Sequence, residues 1–186
     1  GREGKNVPVF CYASGDRAEL FVNGKSMGVR RKGERQEEGY YGVTDDYRFR
    51  WLEVPYEPGE IKVVAYRGDE QIGTDVVRTA GAPAKVALSL EDRDASAGAL
   101  RFVQVAVTDA AGVRIPTAGD RIRFSITGGE IVAVGNGCPW SVESFKDVSA
   151  HSLFNGTALL YVRKTSGGKA KLVAEADGLA KAELEF

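Results

Sequence analysis

The stretch "ELFVNGKSMG", residues 19–28, divides into two short runs of strand-forming residues at Asn23 and Gly24. A two-residue type I′ turn requires positive φ at both central positions, which Asn and Gly adopt at the lowest cost. Leu20 and Val22 alternate with their neighbours, so one face of the first arm is wholly apolar. The pattern predicts an antiparallel hairpin that is scaffold rather than functional site.

Similar alternating runs recur along the chain, separated by turn-forming groups such as "SGD", "EPGE" and "RGDE". No segment has convincing 3.6-residue periodicity over ten or more residues, so the sequence predicts an all-β chain. The predicted strands are 7–12, 19–22, 25–29, 47–54, 61–66, 71–79, 86–90, 102–108, 121–126, 130–134, 157–163, 171–176 and 181–186. The polar stretch 30–46 between them is interpreted as a long solvated loop.

The segment "RTAGAPAKV", residues 78–86, lacks alternation and has the composition of a tight interdomain joint. Seven strands are predicted after it, the number expected of an immunoglobulin-like sandwich. At 186 residues the chain also exceeds one typical domain of about 100 to 150 residues. We therefore predict two tandem immunoglobulin-like β-sandwiches, residues 1–82 and 83–186.

Charge and composition exclude two classes of partner. Lys and Arg number 25 against 26 for Asp and Glu, which leaves a net charge of -1 and no footprint for nucleic acid or an anionic membrane. No run approaches the roughly 20 apolar residues that span a bilayer. The chain opens on Gly1 without an apolar leader, so we expect a processed product or an excised fragment.

The residues that could carry thiol or metal chemistry are few. Cys11 and Cys138 fall in different predicted domains, which argues against a disulfide framework. Cys11 shares a strand face with Val7 and Val9, as expected for a small buried hydrophobe. His151 is the sole histidine and has no cysteine near it in sequence, so a zinc site would lack ligands. We predict no metal and no cofactor.

Two long segments resemble a known family. The segments "GREGKNVPVFCYASGDRAELFVNGKSMG" (1–28) and "YRFRWLEVPYEPGEIKVVAYRGDEQIGTDVVRTAGAPAKV" (47–86) closely resemble the fourth domain of bacterial family 2 glycoside hydrolases of the β-galactosidase type. Residues 86–186, with "FVQVAVTDAAGVRIPTAGDRIRFSITGGEIVAVGNG" and "FNGTALLYVR", are similar to the C-terminal fifth domain of these enzymes. The second half also resembles bacterial adhesin-type immunoglobulin repeats.

The resemblance implies a non-catalytic C-terminal module pair that packs on the catalytic TIM barrel and other domains of a parent β-galactosidase. The family's acid/base and nucleophile glutamates belong to that barrel, which these residues do not include. The resemblance further implies that the parent enzyme is located in the bacterial periplasm or the extracellular space. A homo-oligomer of the parent is a further candidate assembly. The acidic residues of this sequence also favour a non-catalytic module, because retaining hydrolysis needs two carboxylates about 5 Å apart on rigid elements. The acidic residues here fall in turns or alternate outward, so we assign no catalytic residue and expect no enzyme activity of the chain itself.

A second class of function is a stand-alone carbohydrate-binding or adhesion pair of immunoglobulin-like domains. A sugar-binding module exposes aromatic side chains in a row that stacks on pyranose rings. Tyr47, Phe49 and Trp51 lie two residues apart on one predicted strand face, which is also how a sandwich core is filled. Solvent exposure of the three rings decides between the two interpretations.

The segment "GNGCPWSVESFKDVSAHSLFNG", residues 135–156, interrupts the strand rhythm. A long loop in a compact domain is usually functional or disordered, and the aromatic residues here argue against disorder. Two interpretations stay open. In the first, Trp140 and Phe145 plug the end of the sandwich. In the second, the loop contacts the parent barrel or a glycan through Asn136, Trp140, Phe145 and His151.

Overall fold

The computed structural model describes residues 2–35, 40–91, 100–165 and 167–186. These residues form short antiparallel strands and two short helical turns, so the predicted all-β class is confirmed. The strands are β1 Asn6–Cys11, β2 Arg17–Val22, β3 Lys25–Arg31, β4 Phe49–Pro55, β5 Glu60–Arg67, β6 Glu70–Arg78, β7 Lys85–Leu90, β8 Arg101–Thr108, β9 Arg121–Thr127, β10 Gly129–Gly135, β11 Ala150–Ser152, β12 Thr157–Lys164, β13 Lys171–Glu175 and β14 Ala182–Glu185. The helical turns are α1 Tyr40–Val43 and a 3-10 turn, Thr44–Asp46.

The chain divides into two compact units, Gly1–Thr79 and Ala80–Phe186, whereas the sequence places the boundary between Ala82 and Pro83. The first unit pairs a four-stranded sheet, in the order β3-β2-β5-β6, with a two-stranded sheet of β1 and β4. Its core joins apolar side chains of β2 to aromatic and aliphatic side chains of β4. The buried members are Ala18, Leu20, Val22, Phe49, Trp51 and Val54.

The opening hairpin has the predicted geometry. Asn23 and Gly24 have φ of 49° and 80°, and they connect the paired residues Val22 and Lys25. Leu20 and Val22 are buried in the core of the first unit. The hairpin prediction is therefore confirmed, because the apolar arm faces the core.

The polar stretch 30–46 is more structured than predicted. Residues 36–39 lie outside the described part of the chain, but β3 extends to Arg31 and Asp45 is buried in the 3-10 turn. The Asp45 carboxylate accepts a hydrogen bond from Nη2 of Arg50 at 2.8 Å, and Nε of Arg50 lies 2.7 Å from its other oxygen. The solvated-loop interpretation is wrong at this end, since a bidentate ion pair compensates for burial of the carboxylate.

The second unit is a sandwich of two four-stranded sheets, β10-β12-β8-β7 and β11-β9-β13-β14. This order follows the immunoglobulin arrangement, with β11 added at one edge. Alternate residues of the central strands, such as Val103, Val105, Ile122, Leu160 and Leu172, fill the space between the sheets.

Among the residues that the structure describes, no helix is long and apolar enough to span a bilayer. The same residues hold no group of three or more histidine, cysteine, aspartate or glutamate side chains placed to bind a metal ion. Cys11 and Cys138 are free, half-buried thiols, and burial raises the pKa of Cys11.

Candidate functional site

The connection between β10 and β11, residues 136–149, folds back along the edge strand β10. The Phe145 carbonyl accepts a hydrogen bond from the Val134 N–H at 3.0 Å, and Nζ of Lys146 donates to the Val132 carbonyl at 3.2 Å. The Phe145 ring lies directly over Gly135, where a Cβ would be 2.8 Å from a ring carbon. The loop is therefore fixed against the sheet and covers an edge that would otherwise be open to pairing.

A cavity of about 760 Å³ lies between this loop and the outer surface of the sheet. Ala133, Leu159 and Tyr161 are among its lining residues from β10 and β12, and the loop contributes Cys138 and Ser141. Leu159 and Tyr161 alternate with buried neighbours on β12, so they project away from the core. The cavity is thus built on the solvent face of the sheet.

The Glu143 carboxylate connects the loop to β11. Its oxygens accept hydrogen bonds from the Ser152 N–H at 3.2 Å and the Ser152 Oγ at 3.1 Å, and from Arg121. Nε2 of His151 lies 3.9 Å from its Oε2. Burial raises the pKa of Glu143, but the hydrogen bonds from Ser152 and the proximity of His151 and Arg121 outweigh burial and hold this pKa below its ordinary value.

His151 lies on β11, in pairing with Ile122 of β9, and is 1% exposed. It lines the cavity, and its Nδ1 has no hydrogen-bond partner among the residues that the structure describes. A buried ring nitrogen without a partner is costly, and this atom is itself sealed from solvent, so it does not face the cavity.

Asn136, also a predicted site residue, shapes the start of the loop. Its Nδ2 donates to the Ser152 carbonyl at 2.8 Å, and its Oδ1 accepts from the Cys138 N–H at 2.9 Å. Both ends of the amide are thus engaged by the protein. Asn136 lines the cavity, and its bonds hold the loop in place.

Trp140 and Phe145 are displayed on the surface. Trp140 is 74% exposed and packs edge-to-face on Phe154 with ring centroids 5.5 Å apart, and Phe145 is 64% exposed. Val142, between them in sequence, is 99% exposed. The interpretation in which Trp140 and Phe145 plug the end of the sandwich is therefore wrong, because most of each ring faces solvent.

Solvent exposure decides between the two interpretations of the aromatic row Tyr47, Phe49 and Trp51, a sugar-binding platform or a core. Phe49 and Trp51 are almost fully buried in the core, and Tyr47 is exposed. Phe49 and Trp51 therefore fill a core, and the three rings do not form an exposed aromatic platform.

Sequence reasoning missed Glu143, Ser152 and Tyr161 as parts of the site. Glu143 is the one carboxylate between Cys138 and Lys146, which was a weak local signal. Its partner Ser152 belongs to β11, which was not predicted because "AHS" is too short to show alternation. The sequence places Tyr161 in a predicted strand, but it does not indicate that the Tyr161 side chain lies on the face that the loop covers.

The strand order defines a pair of β-sandwich modules, the second of immunoglobulin-like order. The loop 136–149 forms one wall of a cavity on the second module. Residues 85–185 match the model of a family described as glycoside hydrolase family 2 C-terminal domain 5. Residues 4–73 match a domain of unknown function, DUF4982. The chain belongs to the glycoside hydrolase family 2 C-terminal domain 5 family, and the predicted family resemblance is confirmed.

Larger proteins contain a segment that is similar to nearly all of this chain. The β-galactosidase BoGH2A of Bacteroides ovatus is 35% identical over 188 residues, which cover 98% of this chain and 21% of that protein. A family 2 glycosyl hydrolase from Bacteroides cellulosilyticus has a TM-score of 0.82 at 30% identity, and a β-glycosidase from Bacteroides vulgatus has 0.85 at 27%. These two matches cover all of this chain and 25% and 23% of the solved chains, so the protein spans about a quarter or less of its relatives.

Proposed function

We propose that the chain is a non-catalytic C-terminal module pair that packs on the catalytic body of a family 2 glycosidase and supports it. The observation that carries the proposal is the exposed apolar surface of Trp140, Val142 and Phe145 on a loop held by hydrogen bonds. A surface of this kind marks an interaction site. The relatives supply a partner, because in each the matching segment is part of a much longer chain.

The chemistry of the cavity supports the absence of catalysis. Glu143 is the one carboxylate among the described residues that line it, whereas glycoside hydrolysis uses two. A general acid needs a raised pKa, and the pKa of Glu143 is lowered. Glu143 is therefore suited to hold the loop and unsuited to protonate a leaving group.

For the parent enzyme we propose a β-galactosidase that acts in the bacterial periplasm or outside the cell. The named activity of the Bacteroides ovatus relative supports the reaction class. The test begins with the isolated chain on a chromogenic β-galactoside, where we expect no turnover above a buffer blank. Measurable turnover contradicts the non-catalytic assignment.

Docking is tested with Val142→Asp in two settings. In the isolated chain the substitution should leave the melting temperature unchanged, because Val142 is 99% exposed. In the full-length parent the buried charge should lower the melting temperature and promote release of the modules under limited proteolysis. Val142→Thr, which keeps the shape without a charge, serves as the matched control. A parent that tolerates Val142→Asp as well as Val142→Thr contradicts docking through this loop.

A further inference from the structure

The cavity beside the loop 136–149 has the size and lining of a small-molecule site. Its volume of about 760 Å³ lies within the range of roughly 300 to 1,000 Å³ found for ligand pockets. Ala133 leaves depth above the sheet because its side chain is small, and the rings of Tyr161 and of Phe145, which covers Gly135, border the space. Aromatic rings offer the apolar surface on which the C–H faces of a sugar ring pack.

Uncharged polar groups surround this apolar surface. The Gln104 amide and the Tyr161 hydroxyl line the cavity and make no hydrogen bond to another residue of the described chain. Amide and phenol groups each pair with a hydroxyl group, which both donates and accepts. The unengaged groups therefore suit a ligand rich in hydroxyls.

The charge of the lining selects against anions. Within the described ranges no lysine or arginine lines the cavity, and its one ionisable carboxylate, Glu143, is held in the charged form. Arg121 is engaged by Glu143 and does not line the space. A carboxylate on the ligand would find no lysine or arginine among the described lining residues to pair with, which is unfavourable.

We propose that this cavity binds a neutral pyranose unit and gives the module a glycan subsite that takes no part in bond cleavage. The inference extends the proposed function and rests on it only for the expectation that the parent enzyme meets glycosides. The ligand class follows from the lining, where aromatic rings and unengaged hydroxyl-bonding groups are combined and no lysine or arginine is found among the described residues.

The test is a titration of the isotope-labelled chain, followed by the amide resonances of residues 135–145. Methyl β-galactopyranoside should shift these resonances in a saturable way. Methyl β-glucuronide should bind at least about tenfold more weakly, because its carboxylate finds no lysine or arginine among the described lining residues. Absence of saturable shifts with the neutral sugar overturns the site, and equal binding of the glucuronide overturns its selectivity.

Two variants tie binding to the cavity. Ala133→Leu should abolish the shifts by filling the space, and Gln104→Ala should weaken binding about fivefold by removing one hydrogen bond. Gln104 is exposed, so its variant should keep the wild-type melting temperature and remains informative even when Ala133→Leu fails to fold. Gln71→Ala in the first unit is the matched control and should bind as wild type. Full affinity in Gln104→Ala overturns the assignment of this cavity.

This experiment separates the inference from the proposed function. Sugar binding is measured on the isolated chain, whereas docking is measured on the parent with Val142→Asp. A parent that tolerates Val142→Asp, with intact sugar binding in the isolated chain, contradicts the proposed function alone. Absent sugar binding in the isolated chain, with a parent that Val142→Asp destabilises, overturns the subsite alone.

Discussion

Asn23 joins two turns of the first unit through one amide side chain. Its Oδ1 accepts a hydrogen bond from the Glu60 N–H at 2.8 Å, and its Nδ2 donates to the Pro58 carbonyl at 3.2 Å. Gly59 has a φ of 136°, and a Cβ there would lie 2.0 Å from the Asn23 oxygen. The motifs "VNGK" and "EPGE" thus depend on each other, since the asparagine occupies the space that the glycine leaves.

The first prediction tests this double role of Asn23. Asn23→Gly keeps the positive φ but loses the side-chain hydrogen bonds with Glu60, Pro58 and Glu57, so it should lower the free energy of unfolding by about 1 to 2 kcal/mol in urea denaturation. Asn155→Gly is the matched control, because Asn155 also has positive φ and its side chain makes no hydrogen bond to the described residues. Equal effects of the two substitutions would contradict a role beyond the turn.

At the scale of elements, the loop 136–149 and β11 form one structure that local sequence patterns do not reveal. Residues 150–152 pair with β9, and the Ser152 N–H, which faces away from that strand, is bound by Glu143 from the loop. Burial of His151 completes the attachment. A segment that seemed structureless is thus held at its middle and at its end.

The second prediction concerns the pH dependence of this attachment. The pKa of Glu143 is lowered in the folded chain, so its stabilising contribution is complete above the ordinary value of about 4.3 and is lost as the pH falls through the lowered pKa. Glu143→Gln should cost about 1 to 2 kcal/mol at neutral pH and speed hydrogen exchange at the Ser152 amide. The difference from wild type should shrink in acid.

Glu183→Gln provides the control for that experiment. Hydrogen bonds and charge from Lys171 and Lys181 lower the pKa of Glu183 to about 2, yet the carboxylate is well exposed to solvent. Solvent screening should make its loss much less destabilising at neutral pH. A Glu143→Gln effect that persists unchanged in acid would show that the carboxylate charge does not attach the loop.

At the scale of the whole molecule, each unit has a core of its own. The buried residues of one core all lie between Ala18 and Val54, and those of the other between Val86 and Ala176. The division at Thr79 and Ala80 agrees with this separation. Independent cores favour independent unfolding transitions.

The third prediction is that residues 1–79 and 80–186, expressed separately, each unfold cooperatively by calorimetry. In the whole chain, Leu20→Ala should lower the stability of the first unit by about 2 to 5 kcal/mol and leave the second transition in place. A single transition for the whole chain that Leu20→Ala shifts as one would contradict separable cores.

Much of the fold could be predicted because its signals are local. The alternation of Leu20 and Val22 and the turn at Asn23 and Gly24 lie within a few residues of each other, and each predicted strand overlaps an observed one. The short strand at His151 was missed, because three residues are too few to show a period of two. The family could also be recognised from the sequence alone, because the resemblance rests on motifs that follow one another in sequence order.

The sequence by itself determined the strands, the turns and the membership of a family. Only the tertiary structure decided which aromatic residues are core and which are surface: Phe49 and Trp51 are buried, and Trp140 and Phe145 face solvent. It also decided that Glu143 reaches Ser152 beside a cavity. The physical reason is that strand and turn preferences act between near neighbours, whereas burial and hydrogen-bond partners depend on residues that are distant in sequence.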